Sequence, residues 1–209
     1  MDAVVAGASG RSAGPHIDGR GCACCAGPRG LFVTQSLQEV DFDRSPCGLA
    51  QRGLTERLAS AVASGPRGAR ANERDAAGYA PLHYAARGAH VECVRVLLAA
   101  GADPAARTRA GGATPLHRAA WVGALECAEL LVAAAVAAGS EAGEGSRALC
   151  LTVDDEGMTA LHKACHAGHA HVARMLEEVC AEASEVTDSR GRRPRELEPR
   201  VDAPSPVGT

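Results

Sequence analysis

Apolar residues recur at helical spacing in pairs of short segments along the middle of the chain. In the clearest pair, the first segment begins at Pro81 and ends near Gly88. The second segment, residues 91–100, has apolar side chains at positions i, i+3, i+6 and i+7. Proline suits the first turn of a helix, and glycine commonly follows the last turn. The pattern therefore predicts a unit of turn, helix, short bend, helix and loop.

A seven-residue motif opens three of these units. It reads TPLHRAA at residues 114–120, APLHYAA at 80–86 and TALHKAC at 159–165. The histidines of consecutive copies lie 34 and 45 residues apart. A period near 33 residues indicates one supersecondary unit that stacks on itself. The sequence therefore predicts an all-α repeat protein.

The motif and its surroundings resemble the ankyrin repeat, whose T-P-L-H-x-A core is specific. In the copy at 75–108, Asp75 and Gly78 supply a turn before the motif, and the pair Gly101-Ala102 closes the second helix. The resemblance implies an ankyrin-repeat solenoid of helix-turn-helix units joined by hairpin-like loops. It also implies a protein-interaction module.

The same pattern divides the chain into tails, a lead-in segment and a repeat domain. Residues 1–30 are rich in Gly, Ala, Arg and Pro and predict a disordered tail. Residues 31–44 predict a short helix or an extended segment that packs on the first repeat. We place the repeat domain at 45–200, with a degenerate repeat at about 45–74, repeats at 75–108, 109–153 and 154–187, a partial cap at 188–200 and a second disordered tail at 201–209.

Three features depart from the repeat pattern, and one of them is Cys47, which stands where a bulkier core residue is expected. The third repeat has an insertion near 132–147, whose alanines predict a longer second helix. Its Gly/Ser/Glu segment predicts a flexible loop at the edge of the domain, either a neutral addition or an extra contact for a partner. Ala89 replaces the usual bend glycine, and a left-handed backbone there costs alanine about 1 kcal/mol.

Composition and charge narrow the class of function. The formal net charge of −3 and the pI near 6.2 argue against a general nucleic-acid binder, which needs a strongly basic face. The longest apolar run, residues 130–138, is less than half of the roughly 20 residues that span a bilayer. Residues 1–10 lack the basic and apolar regions of a secretory signal. We expect a cytoplasmic monomer, with the nucleus as a second location, and no membrane, nucleic-acid or small-molecule partner.

Three histidines, His83, His117 and His162, are the first candidates for catalysis because imidazole titrates near neutrality. Their repetition at one structural position argues against that role, since a general base does not need three copies. The ankyrin resemblance instead implies that each imidazole hydrogen-bonds to the backbone of neighbouring turns. No Walker A, dinucleotide-binding, kinase or GxSxG motif is present. We therefore predict no catalytic residue, no cofactor and no enzyme activity.

A second hypothesis is a metal- or redox-responsive regulator. His16, Cys22, Cys24 and Cys25 have the right chemistry for zinc, although their spacing is tighter than the usual C-x2-4-C pair. The histidine-rich stretch at 162–171 lacks the glutamate of an HExxH site, so we predict no metal there.

The repeat register also predicts the side chains that contact a partner. In each copy, the residue after the histidine and the residue after the motif point towards a concave groove. Trp, Tyr and Arg are common among them, and these types dominate interface hot spots. We expect the partner to be another protein, such as an acidic peptide or helix, and a structural role for Trp121 against the next repeat stays open. The predicted contact residues are Tyr84, Arg87, Arg118, Trp121, Lys163 and His166 on the helices, with Tyr79, Arg107, Arg109, Asp154 and Asp155 on the turns.

Overall fold

A computed structural model describes residues 37–64, 66, 68–138 and 144–197, with only the backbone at 37–40. These described residues lie in one compact unit. The predicted tails at 1–30 and 201–209 are outside the described residues.

The described part of the chain is all-α, as predicted, and it contains no β-strand. Two 3-10 helices, Ala181–Ser184 and Pro194–Leu197, follow the last α-helix. The α-helices are α1 (Leu37–Arg44), α2 (Pro46–Gln51), α3 (Thr55–Ala63), α4 (Pro81–Arg87), α5 (Val91–Ala99), α6 (Pro115–Val122), α7 (Leu125–Ala138), α8 (Glu144–Leu151), α9 (Ala160–Ala167) and α10 (Ala170–Val179).

The helices form two layers. The first layer contains α2, α4, α6 and α9 in that order, and the 3-10 helix Pro194–Leu197 packs on α9. The second layer contains α3, α5, α7 and α10. Leu82, Leu116 and Leu161 of the histidine motifs are buried, because the small alanines beside them let successive helices approach closely. Each repeat thus buries its apolar faces against its two neighbours.

The motif histidines join successive repeats, as the resemblance implied. The backbone N–H of the residue three positions earlier donates to Nδ1 of each imidazole at 3.1–3.2 Å. Because Nδ1 accepts, the proton is on Nε2, which donates to a carbonyl oxygen of the following turn at 3.0–3.2 Å. These carbonyls belong to Ala113, Met158 and Arg192. The imidazoles are scaffold groups.

Burial keeps these imidazoles neutral. Desolvation lowers the pKa of His117 to about 4, and it lowers the pKa of His83 and of His162 below the ordinary value as well.

An aspartate holds the turn before most repeats. Oδ1 of Asp75 accepts from the N–H of Tyr79 at 2.8 Å. Oδ1 of Asp154 accepts from two N–H groups of its turn at 2.9 Å, and Asp188 repeats this arrangement. In the turn that leads into the third repeat, Thr108 replaces the aspartate, and its Oγ1 accepts from the N–H of Ala113 at 3.0 Å. A side-chain oxygen two to five residues before the bonded N–H groups thus fixes each turn from which the groove is built.

The insertion in the third repeat differs from the predicted loop. The alanines do extend the second helix, since α7 has 14 residues where α5 has 9. However, residues 144–151 form a further helix, α8, which packs on α7 and α10. Leu149 and Cys150 of α8 are buried, and Arg147 forms an ion pair with Glu182 at 2.6 Å. The prediction of a flexible loop was wrong for residues 144–146, which begin α8, because this helix is stabilised by tertiary burial that a Gly/Ser/Glu composition does not reveal. The rest of the predicted loop, residues 139–143, lies outside the described residues.

The cap carries its charges in pairs. Arg192 pairs with the buried Asp188 at 2.8 Å, and Arg193 pairs with Glu185 at 3.2 Å. Leu197 closes the apolar core beneath them. The basic stretch at 190–195 is therefore largely neutralised by acidic neighbours on the last repeat.

Candidate functional site

A concave surface on α6, α9 and the turns at 153–158 and 188–192 forms the candidate site, and we call it the groove. Two adjoining pockets of about 350 and 380 Å³ lie in it, and both are lined by Trp121 and Lys163. The first pocket is also lined by Gly111, Ala113, His117, Arg118, Asp154, Asp155 and Glu156, and the second by Glu156, Met158, His166, Ser189, Arg190 and Arg192.

Trp121 is the most prominent side chain of the groove. Its ring stacks on the imidazole of His166, with 5.4 Å between the ring centroids and 21° between the planes. It nevertheless stays 47% exposed. Trp121 therefore contacts the next repeat without the burial of a purely structural role, and a large aromatic surface still faces solvent.

Arg118 lies against Tyr79 of the preceding repeat. Nη2 of Arg118 donates to the hydroxyl oxygen of Tyr79 at 2.9 Å, and the guanidinium carbon is 5.3 Å from the centroid of the phenol ring. This geometry combines a hydrogen bond with a cation–π contact. Nε of Arg118 is buried and has no hydrogen-bond partner among the described residues.

Tyr84 is more enclosed than its register suggested. Its hydroxyl donates to Oδ2 of Asp75 at 2.5 Å, and Phe42 of α1 packs edge-on against its ring at 5.7 Å. Burial and the bond to Asp75 raise the pKa of Tyr84. The lead-in helix α1 thus contacts the second repeat. Because Tyr84 is engaged with Phe42 and Asp75, we leave it out of the proposed contact surface.

Lys163 and Asp154 are engaged with each other. Nζ of Lys163 is 2.8 Å from Oδ2 of Asp154 and 2.9 Å from Oε2 of Glu156. The side chain of Asp154 is 6% exposed, so its carboxylate serves the turn and the ion pair. Although burial opposes the shift, the hydrogen bonds from Lys163 and Met158 lower the pKa of Asp154. Asp154 therefore holds its own turn and the side chain of Lys163 in place, and its carboxylate is not available to contact a partner.

Of the three remaining charged residues predicted on the turns, one is held by hydrogen bonds to the backbone and two are exposed. Arg107 bridges two turns, since its Nε donates to the carbonyl of Gly112 at 3.1 Å and its Nη2 donates to that of Val153 at 2.8 Å. Asp155 lines the first pocket and is exposed, whereas Arg109 is exposed outside the pocket linings. Arg87 on α4 is also exposed outside them.

Sequence reasoning did not find Ser189, Arg190 or the contact of Phe42. For the first two a signal was present, because the turn at Asp188 repeats the turn at Asp154 and puts Arg190 at the register position of Glu156. Phe42 carries no such signal, since it stands outside the repeat pattern.

The residues of the alternative hypothesis, His16, Cys22, Cys24 and Cys25, lie outside the described residues. Within the described ranges no group of three or more His, Cys, Asp or Glu side chains could hold a metal ion. Burial raises the pKa of Cys127 to about 11 and the pKa of Cys47 and of Cys150 to about 12, which keeps these thiols protonated and unreactive.

No helix of the described residues is long and apolar enough to cross a membrane.

Comparison with known families agrees with the geometry. The family described as "Ankyrin repeats (3 copies)" matches residues 49–142, and "Ankyrin repeats (many copies)" matches residues 145–177. The chain belongs to the ankyrin-repeat family. Proteins of this family are typically non-enzymatic modules for protein–protein interaction. The comparison supports this general function and does not identify a partner.

Among individual proteins, the chain is similar to human ankyrin repeat domain-containing protein 39. The two are 35% identical over 88 residues, which cover 41% of this chain and 45% of the human protein. The match therefore spans less than half of that relative.

Proposed function

We propose that the chain is an adaptor or regulatory subunit that binds a segment of another protein along the groove. The observation that carries this proposal is the stack of Trp121 on His166 inside the paired pockets, with half of the indole left open. Tryptophan is enriched at interface hot spots, and this one offers a large apolar surface that a partner could cover.

The groove is also built for recognition with little rearrangement. Arg118 and Trp121 stand on a helix whose first turn is locked by His117, and the turns beside them are held by Asp154 and Asp188. Rigid elements lose little conformational entropy when a ligand binds. The proposed mode of action is presentation of a preformed surface, and we propose that the protein does so as a monomer in the cytoplasm, with the nucleus as a second location.

The partner segment is proposed to bring both apolar and acidic groups. Trp121 and His166 offer an aromatic platform, while Arg87, Arg118 and Arg190 bring positive charge to the helices and the cap turn. An acidic peptide or helix with a large apolar side chain suits this combination.

Affinity capture with quantitative mass spectrometry tests the proposal. Bait proteins are the wild type, the double variant Trp121→Ala/Arg118→Ala, and a matched control, Val136→Ala/Arg95→Ala, which removes an exposed apolar residue and an exposed arginine from the second helix layer. We expect a set of proteins to be captured by the wild type and the control but lost with the double variant.

Circular dichroism melts of all three baits accompany the capture. If the double variant melts like the control and still captures the same set, the groove is not the binding surface. If it melts far below the control, the single variants at each position replace it.

A further inference from the structure

The guanidinium of Arg118 does not have a hydrogen-bond acceptor for each of its buried N–H groups. Its Nη2 is bonded to Tyr79, but its Nε is buried and has no acceptor, and no acidic side chain of the described residues forms an ion pair with it. A buried N–H without an acceptor is costly, so a conformation that supplies one is favoured. A carboxylate that enters the adjoining pocket is such an acceptor, because its two oxygens match two N–H groups of a guanidinium side by side.

The other charges that line this pocket are arranged differently. Lys163 is shared between Asp154 and Glu156, so its charge is used within the fourth repeat. Asp155 is exposed at the rim and carries a negative charge. A run of several acidic residues would therefore meet repulsion at Asp155, whereas a single carboxylate directed at Arg118 would not.

We infer that Arg118 is the specificity-determining residue of the groove and selects one carboxylate that stands beside a large apolar side chain of the partner segment. The apolar side chain packs on Trp121, which follows Arg118 by one helical turn on the same face of α6. The inference rests on the proposed function, because it assumes that the groove binds a protein segment. On binding, the guanidinium leaves Tyr79 and turns its Nε edge towards the carboxylate.

Selection from a phage-displayed library of random dodecapeptides tests this inference. The library is panned on the wild type, Arg118→Gln, Trp121→Ala and the exposed control Arg95→Gln. We expect the wild type and the control to select one Asp or Glu within about four positions of an aromatic or large aliphatic residue. Arg118→Gln is expected to select the apolar residue without the acid.

A double-mutant cycle then measures the contact itself. One selected peptide is labelled with fluorescein, synthesised with its acid and with the matching amide, and titrated by anisotropy against the wild type and Arg118→Gln. We expect the amide to weaken binding to the wild type at least tenfold and to leave binding to Arg118→Gln unchanged. Arg118→Lys keeps the charge without the planar fork, so we expect it to bind the acidic peptide more weakly than the wild type.

Tyr79→Phe gives a further readout that a structural role of Arg118 would not move. This variant keeps the aromatic ring and removes the oxygen that holds Nη2. We expect it to bind the acidic peptide at least as tightly as the wild type.

The outcomes separate the two proposals. If peptides are selected in a Trp121-dependent way but the cycle shows no coupling between Arg118 and the peptide acid, the role of Arg118 is overturned and the groove stands. If no selected peptide depends on Trp121, the proposed function fails and this inference fails with it. Should Arg118→Gln unfold, Arg118→Lys takes its place in the cycle.

Discussion

The imidazole of His169 lies directly against Gly123 of the preceding repeat. A Cβ atom added to Gly123 would come within 2.6–2.8 Å of three ring atoms, and Nε2 of His169 hydrogen-bonds to the carbonyl of Trp121 at 3.2 Å. His90 repeats this arrangement two junctions earlier, with its ring against Gly53 and its Nε2 on the carbonyl of Gln51. At these two junctions, the bend glycine of one repeat therefore leaves room for a histidine of the next repeat.

Gly123→Ala should therefore be costly for two separable reasons. Its φ of +79° is left-handed, which costs alanine about 1 kcal/mol, and overlap with His169 adds roughly 1–3 kcal/mol. In a His169→Ala background we expect only the backbone cost to remain. Urea unfolding of the four proteins of this cycle measures both terms, and an equal cost in the two backgrounds would show that the ring is not the obstacle.

The bend of the second repeat has alanine, Ala89, where the first and third repeats have glycine. Ala89 has a φ of 53°, so the bend keeps its left-handed backbone although alanine replaces the usual glycine. The register position of His90 and His169 is occupied in the following repeat by Ala124, which has no ring to meet the methyl group. Alanine at the bend and alanine in the next repeat occur together, as the geometry requires.

Ala89→Gly should raise the free energy of unfolding by about 1 kcal/mol, because glycine adopts the left-handed region without strain. Thermal and urea unfolding measure this gain. No gain, or a loss, would mean that the methyl of Ala89 contributes packing of its own.

Ala124→His gives the reciprocal prediction. In the wild type it should cost about 1–3 kcal/mol, since the new ring meets Ala89. In the Ala89→Gly protein the cost should largely disappear, because that junction then resembles the one between Gly123 and His169. Unfolding experiments on the cycle check this, and additive effects of the two changes would contradict it.

Stability should fall as the pH is lowered from about 6.5 towards 4. Above 6.5 the motif histidines are neutral in both states. Below pH 6.5, His117 becomes protonated in the unfolded chain but stays neutral in the folded chain, because burial lowers its pKa to about 4 in the folded state. More protons on the unfolded state means a smaller free energy of unfolding at lower pH, by ~3 kcal/mol for a shift of this size.

His117→Gln isolates this contribution. An amide offers one acceptor and one donor but does not titrate, so urea unfolding between pH 7.5 and 4.5 should show a shallower dependence than in the wild type. His171→Gln on an exposed site is the matched control. An unchanged slope in His117→Gln would show that His117 does not contribute to the pH dependence.

The insertion helix α8 should be part of the core. Leu149→Ala is expected to cost about 2–4 kcal/mol because its side chain is fully buried, whereas Arg147→Ala should cost under ~1 kcal/mol because its ion pair with Glu182 is solvent-exposed. Urea unfolding compares the two variants. If both are neutral, residues 144–151 do not pack as a structural element.

The repeated parts of this fold were predictable because repetition itself reveals the role of a residue. Three copies of the motif identified the histidines as scaffold, and the register put Arg118 and Trp121 on one surface. The register does not say which acidic side chain reaches back to a cation, so the engagement of Lys163 by Asp154 was not foreseen. Unrepeated segments gave no such help, as Phe42 and α8 show.

Trp121 is the only tryptophan of the sequence, and it lies at the junction between the third and the fourth repeat. Its ring stacks on His166 and its carbonyl accepts from His169, both in the fourth repeat. Tryptophan fluorescence of this protein consequently reports on the junction between the third and the fourth repeat. Since stacked repeats can open from one end, fraying of the fourth repeat and the cap would change the emission before the helical signal of the remaining repeats is lost.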